Sequence, residues 1–241
     1  MKKLIAMILA LTMVLSFAAC GNNNDVPENN NDEQETSGVI EQTEPAKDDN
    51  KEDNSNNAKG ITLEKLMKAK ESPESDFECV DHGDGDVELL RYLGSDEIVV
   101  IPETWNGKEI TTVSSYVFSN DSPVKAIRLS DSVSTLMFGA FGLNASLEIV
   151  VCGSGLTTIE EGVFQECTSL HTVVLNDGLQ TIRGVSFSGC KALKELEIPA
   201  SVTEIQPMTF FGIEQDITII GEAGSAAEAH AASEGIAFEA K

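Results

Sequence analysis

The chain has 241 residues, with 40 Asp and Glu against 16 Lys and Arg, for a formal net charge of −24. Charge of that sign and size repels nucleic acid and anionic lipid head groups, so the composition excludes a polyanion-binding role. The 5 cysteines form no C-x-x-C pair and share no metal spacing with the 3 histidines, so neither a zinc site nor any other metal or cofactor is expected.

Residues 1–20 combine a basic start (Lys2, Lys3), an apolar run over 4–15 and a small-residue end, Ala18-Ala19-Cys20. This is a secretory signal peptide, too short and wrongly flanked for a stable membrane span. The cysteine directly after Ala-Ala resembles the lipobox of bacterial lipoproteins, with Phe17 departing from the usual Leu. The resemblance implies a lipid on Cys20, anchorage by acyl chains rather than by a helix, and an extracytoplasmic location for everything that follows. Residues 21–59 are rich in Asn, Asp, Glu, Ser and Thr, and their one adjacent apolar pair is Val39-Ile40. Such a segment buries too little to offset chain entropy and reads as a disordered acidic tether, spanning on the order of 35 Å as a random coil.

Residues 60–114 predict an N-terminal cap. Thr62 caps a short helix with Leu63, Leu66 and Met67 on one face, ended by Ser72-Pro73. Strand-like stretches follow at 77–80, 87–92 and 97–101, separated by His82-Gly83-Asp84-Gly85 and Gly94-Ser95-Asp96, and Asn106-Gly107 makes a tight turn before Ile110.

Over residues 115–215 a strict period takes over. Phe118, Phe141, Phe164, Phe187 and Phe210 are each 23 residues apart. Val113, Leu136, Ile159, Ile182 and Ile205 keep the same interval, as do Val124, Leu147, Leu170 and Leu193. So do Ile127, Val150, Val173 and Leu196; Leu129, Cys152, Leu175 and Ile198; and Val133, Leu156, Leu179 and Val202. A period in the twenties marks a solenoid whose coils each contact only their neighbours. Within one coil, 170, 173 and 175 point inward from a short parallel strand, 176–178 turn the chain, 179–182 run back, and 184–190 close around Phe187. Residues 216–241 form the far cap: a last strand over 216–220, a capping box at Ser225-Ala226-Ala227-Glu228, a helix to about Ser233 with Gly235 after it, and a closing strand at 236–238.

The repeats resemble the BspA-like leucine-rich-repeat family of bacterial surface proteins. The residues that carry the likeness are Ser169-Leu170 to Leu175, Leu179-x-x-Ile182, Val163-Phe164-Gln165-Glu166-Cys167 and Ser186-Phe187-Ser188-Gly189-Cys190. The opening 99–113 is similar to that family's first repeat, and 224–238 to its terminal unit. The expected fold class is therefore mostly β: a leucine-rich-repeat solenoid of 23-residue repeats with an N-terminal β cap and a C-terminal helix-strand cap. The resemblance implies binding and adhesion rather than catalysis, and carries over no ligand-contacting motif. The family's repeat cysteine is replaced by Asp121, Asn144 and Ile213, which weakens one internal column.

Residue by residue, no catalytic set emerges. Cys167 and Cys190 stack in adjacent coils with side chains pointing the same way, which favours buried free thiols over a disulfide; Cys152 and Cys79 read as core. Asp81, Asp84 and Asp86 fit a hairpin turn better than a calcium loop. His82, His171 and His230 join no triad, and Ser186 and Ser188 form no nucleophile elbow. The functional candidate is a surface. Ala126, Ile149, Thr172 and Glu195 stack in one outward strand column, and Arg128, Val151, Val174 and Glu197 in the next. Ile149, Val151 and Val174 are expected to form an exposed apolar patch flanked by Arg128 and the glutamates. The expected function is that of a non-catalytic, lipid-anchored surface protein that binds an extracellular protein through this face. The alternative is a glycan-binding or envelope-associated module, which the short supply of non-Phe aromatics, Trp105, Tyr92 and Tyr116, disfavours.

Overall fold

The computed structural model describes residues 60–83, 85–118 and 122–241; the signal peptide with Cys20, the tether, Asp84 and Asp121 lie outside the described residues. Helix α1 (Leu63–Lys68) begins at Thr62, whose side chain accepts from the Lys65 N–H. A hairpin follows, β1 (Phe77–Asp81) antiparallel to β2 (Val87–Tyr92). Asp81 Oδ1 accepts from the Gly83 N–H at 2.8 Å and the carboxylate pairs with Lys108, so this aspartate shapes a turn.

Next come β3 (Ile98–Val100), β4 (Thr104–Trp105) and β5 (Lys108–Val113). Asn106 and Gly107, at φ 53° and 77°, form the two-residue turn that folds β4 antiparallel onto β5. Each later coil then contributes a pair of short strands: β6 (Ala126–Arg128) and β7 (Thr135–Leu136), β8 (Ile149–Val151) and β9 (Thr158–Ile159), β10 (Thr172–Val174) and β11 (Thr181–Ile182), β12 (Glu195–Glu197) and β13 (Glu204–Ile205). The chain ends with β14 (Thr218–Gly221), α2 (Ala226–Glu234) and β15 (Ala237–Ala240). The Ser225 side chain caps α2 at the Glu228 N–H, and Gly235 closes it in the left-handed conformation.

The sequence period is the register of the sheets. On one side β5, β7, β9, β11 and β13 run parallel, pairing Thr135 with Thr158, Thr158 with Thr181 and Thr181 with Glu204. Strand β2 joins that sheet beside β5, so the N-terminal hairpin caps its first edge. On the other side β3, β6, β8 and β10 pair in parallel, and β12, β14 and β15 form a separate parallel set.

Between the two sides lies the aromatic column. Phe118, Phe141, Phe164 and Phe187 are fully buried and Phe210 nearly so. Their ring centroids follow one another at 5.5, 5.5, 5.1 and 5.6 Å, and the planes of the last three pairs lie within 19° of parallel. These steps match the spacing of stacked strands, about 4.7–4.9 Å, plus the slip of an offset stack. The caps continue the column with tilted rings: Tyr92 lies against Phe118 and Phe77 against Tyr92, each at 5.6 Å, while His230 of α2 covers Phe210 at 5.9 Å.

The cysteine column joins coils through thiols. Cys167 Sγ donates to the Phe141 carbonyl at 3.2 Å and Cys190 Sγ to the Phe164 carbonyl at 3.1 Å, and both thiols are free. Asn144 fills the same place in its coil by donating from Nδ2 to the Val124 carbonyl while Oδ1 accepts from the Ser146 and Leu147 N–H groups. The replacement therefore keeps the column tied together. Burial pushes the Cys167 thiol up to about 12 and raises Cys190 as well, so both stay protonated and inert.

Coil closure uses left-handed backbone in two columns. Tyr116, Gly139, Gly162, Val185 and Met208 have φ between 53° and 68°, and Leu143, Glu166, Gly189 and Gly212 between 58° and 83°. Glycine adopts this conformation without penalty, whereas each other residue costs roughly 1–2 kcal/mol.

Phe187→Ala removes the ring held between Phe164 and Phe210 and is expected to cost about 3–5 kcal/mol in urea unfolding. A loss under about 1 kcal/mol contradicts the stack as main stabiliser. Burial lowers the pKa of His230 below its ordinary 6.5. The unfolded chain then takes up a proton that the folded chain refuses, so stability falls as pH drops below about 6.5 and is unaffected above it. Between pH 7 and 5 the wild type should lose Tm relative to His230→Phe; parallel pH profiles for the two proteins contradict this.

Candidate functional site: the strand face

The outward columns divide sharply. In β3, β6 and β8 the outward residues are Ile98, Val100, Ala126, Arg128, Ile149 and Val151, all apolar but Arg128. In β10 and β12 they are Thr172, Val174, Glu195 and Glu197. An apolar outer face on three adjacent strands requires a cover, and α1 supplies it.

Leu66 is completely buried and packs with Val100, Ala126, Ile149 and Val151 in a small second core, separate from the coil interior. Ser72 fixes the end of this segment by exchanging hydrogen bonds with Val100, donating its N–H to the carbonyl at 2.9 Å and accepting on Oγ at 3.2 Å. Arg128 Nη2 donates to the Ala69 carbonyl at 2.7 Å.

The expected exposed patch is corrected accordingly. Ile149 is 2% and Val151 8% exposed, because α1 lies across them, and Arg128 is occupied by α1. Only Leu66 of the helix is buried; Leu63 and Met67, expected beside it, are exposed. The sequence signal for a cover is indirect: five outward apolar residues on consecutive strands need burying, but nothing in the strand pattern says which segment buries them.

The remaining half of the face is open. Val174 is 38% exposed and Glu195 and Glu197 are exposed, with Thr172 half-buried beside them. At this place the strand ladder is split. Cys152 donates its N–H to Val174 and Thr172 donates to Glu148, but the equivalent Leu175 and Glu195 donors reach no partner on the neighbouring strand. The other side of the solenoid stays closed there, since β11 pairs β13 in register. The result is a wedge-shaped cleft of about 230 Å³ between β10 and β12, lined by Val173, Val174, Leu175, Asp177, Glu197 and Pro199. Asp177 and Pro199 are site residues that strand patterning did not reveal, because the split is a departure from the repeat.

The cleft is acidic on its rim and apolar on its floor. Glu197 pairs with Lys241, whose ammonium this contact holds above its ordinary pKa. His171 Nδ1 lies 2.9 Å from Thr172 Oγ1 at the opposite edge. A second cavity, about 260 Å³ beside α1, is structural: its Glu103 carboxylate accepts from the Asp131 and Ser132 N–H groups, and Asp131 from the Ser154 N–H. Among the described residues no three His, Cys, Asp or Glu side chains come together to hold a metal ion.

Two valines one coil apart should therefore respond differently to the same substitution. Val151→Lys places a charge beneath α1 and should destabilise by roughly 2–4 kcal/mol. Val174→Lys should stay within about 0.5 kcal/mol of wild type. Equal effects in denaturant titrations contradict the placement of α1.

No curated protein matches the chain. Among solved structures it is similar to a leucine-rich-repeat protein of T. pallidum, at 28% identity and a TM-score of 0.59, over 63% of this chain and 71% of that one. It is also similar in fold to a leucine-rich-repeat protein of Bacteroides ovatus, at 23% identity and a TM-score of 0.51, over 61% of this chain and 39% of that one. The family model for the BspA type leucine rich repeat region matches residues 99–216 in 6 copies. The coils described above, from β3 through the turn before β14, thus belong to the BspA-type leucine-rich repeats.

Proposed function

We propose that the protein is an extracytoplasmic lipoprotein, held to the membrane by acyl chains on Cys20, that recognises an extracellular protein through the open half of its strand face without catalysing a reaction. The observation that carries the recognition part is the cleft between β10 and β12. An apolar floor at Val174, unpaired strand N–H groups and a rim of Glu197 and Asp177 match the needs of an extended segment with an apolar side chain and a neighbouring Lys or Arg. Repeat solenoids commonly bind through such extended faces. The lipobox-like Ala18-Ala19-Cys20 supports the anchor and the polar 21–59 stretch supports display away from it.

The test is a binding array of purified extracellular-matrix and mucosal proteins beside an array of bacterial and host glycans. The expected result is a saturable protein hit that Val174→Lys combined with Glu197→Lys abolishes without lowering Tm. Binding to glycans alone, or a protein hit indifferent to both substitutions, overturns the reading.

A further inference from the structure

A different surface carries residues that the fold itself does not require. On the ridge where each coil closes, Tyr116, Leu143 and Met208 hold left-handed backbone that Gly139, Gly162, Gly189 and Gly212 adopt freely at equivalent positions. Leu143 and Met208 gain little burial in exchange, being 45% and 50% exposed. Tyr116 lies against Gly139, where an added Cβ would meet its ring at 2.7 Å, and meets Phe138 edge-on at 5.8 Å. Strain at exposed apolar positions points to a contact outside the chain.

The ridge has an ordered pattern. The Phe141 coil exposes Met137, Phe138 and Leu143, each 40–45%. The Phe164 coil exposes Glu161 and Glu166 beside Glu160, and the Phe187 coil exposes Arg183, which already reaches Glu160 at 2.8 Å. The Phe210 coil exposes Met208 and Phe211, at 50% and 54%. From first to last the order is apolar, acidic, basic, apolar, in three steps of 5.1–5.6 Å between the buried ring centroids.

That order is self-complementary when reversed. We propose that a second copy of this chain packs antiparallel on the ridge, with the Phe141 coil of each facing the Phe210 coil of the other and the Phe164 coil facing the Phe187 coil. A two-fold axis between the two central coils sets Phe138 and Leu143 against Met208 and Phe211, twice. The same axis sets Glu161 against Arg183, twice. Among the described residues Glu161 makes no ion pair within its own chain. A parallel docking instead opposes glutamate to glutamate, and a one-coil slip opposes aromatic rings to carboxylates. Isologous contacts of this kind use one patch on both subunits.

The net charge of −24 opposes the approach of two copies. The association is therefore weak, with Kd in the high-micromolar to millimolar range.

Sedimentation equilibrium of the full chain up to about 1 mM, at roughly 0.15 M salt where the Debye length is about 8 Å, tests this. The wild type should form dimers and no larger species. Arg183→Glu should weaken the dimer at least about tenfold, and adding Glu161→Arg to it should restore most of the loss. Leu143→Gly with Met208→Gly should abolish the dimer while leaving Tm unchanged or raised, since it relieves the left-handed strain. A monomeric wild type, a charge reversal without effect, or a doubly reversed protein that stays monomeric overturns the proposal.

Discussion

One constraint governs the molecule: every coil must set a ring of the same shape over the ring below. The Phe118 to Phe210 column lets each coil satisfy its neighbours with the same contacts, and any change of coil length would displace the ring as well as both strands. The interior is close-packed, so a displaced ring leaves a void with no partner atoms on one side. This explains why the ends are closed with aromatic groups, Tyr92 and Phe77 at one and His230 at the other, rather than with arbitrary apolar residues. A repeat array exposes its last core layer unless something flat covers it.

Because the interior is fixed by repetition, individuality resides in the outward positions. Three strands present apolar outer residues and receive α1; the next two present Thr172, Val174, Glu195 and Glu197 and remain open. The boundary between the covered and open halves falls one coil before the ladder splits. The cover protects surface that would otherwise be an exposed apolar patch, and the split brings backbone donors and an apolar floor together on this face. The closing ridge shows the same division of labour, with glycine at some left-handed positions and Tyr116, Leu143, Glu166, Val185 or Met208 where a side chain is kept despite strain.

The periodic part of the fold was fully legible from sequence, because each column repeats the same inward choice and the register of β5 through β13 follows the 23-residue interval. Both caps were legible too, through the capping side chains of Thr62 and Ser225 and the turn at Asn106-Gly107. The exposure of Ile149 and Val151 was not. Strand alternation tells which side a residue points to, not what lies on that side, and a six-residue helix with one buried leucine gives almost no periodic signal. The split between β10 and β12 was hidden for a related reason: it is a loss of backbone pairing at one boundary, and both coils there carry the standard inward residues.

The cleft depends on that split, and residue-resolved amide hydrogen exchange measures it. Cys152 and Ile198, whose N–H groups bond to the Val174 and Ile220 carbonyls, should exchange slowly, close to the global unfolding limit. Leu175 and Glu195, flanked by those protected positions yet lacking the equivalent bonds, should exchange faster by orders of magnitude. Equal protection of Leu175 and Cys152 would mean a closed ladder and no cleft, and would contradict the site described here.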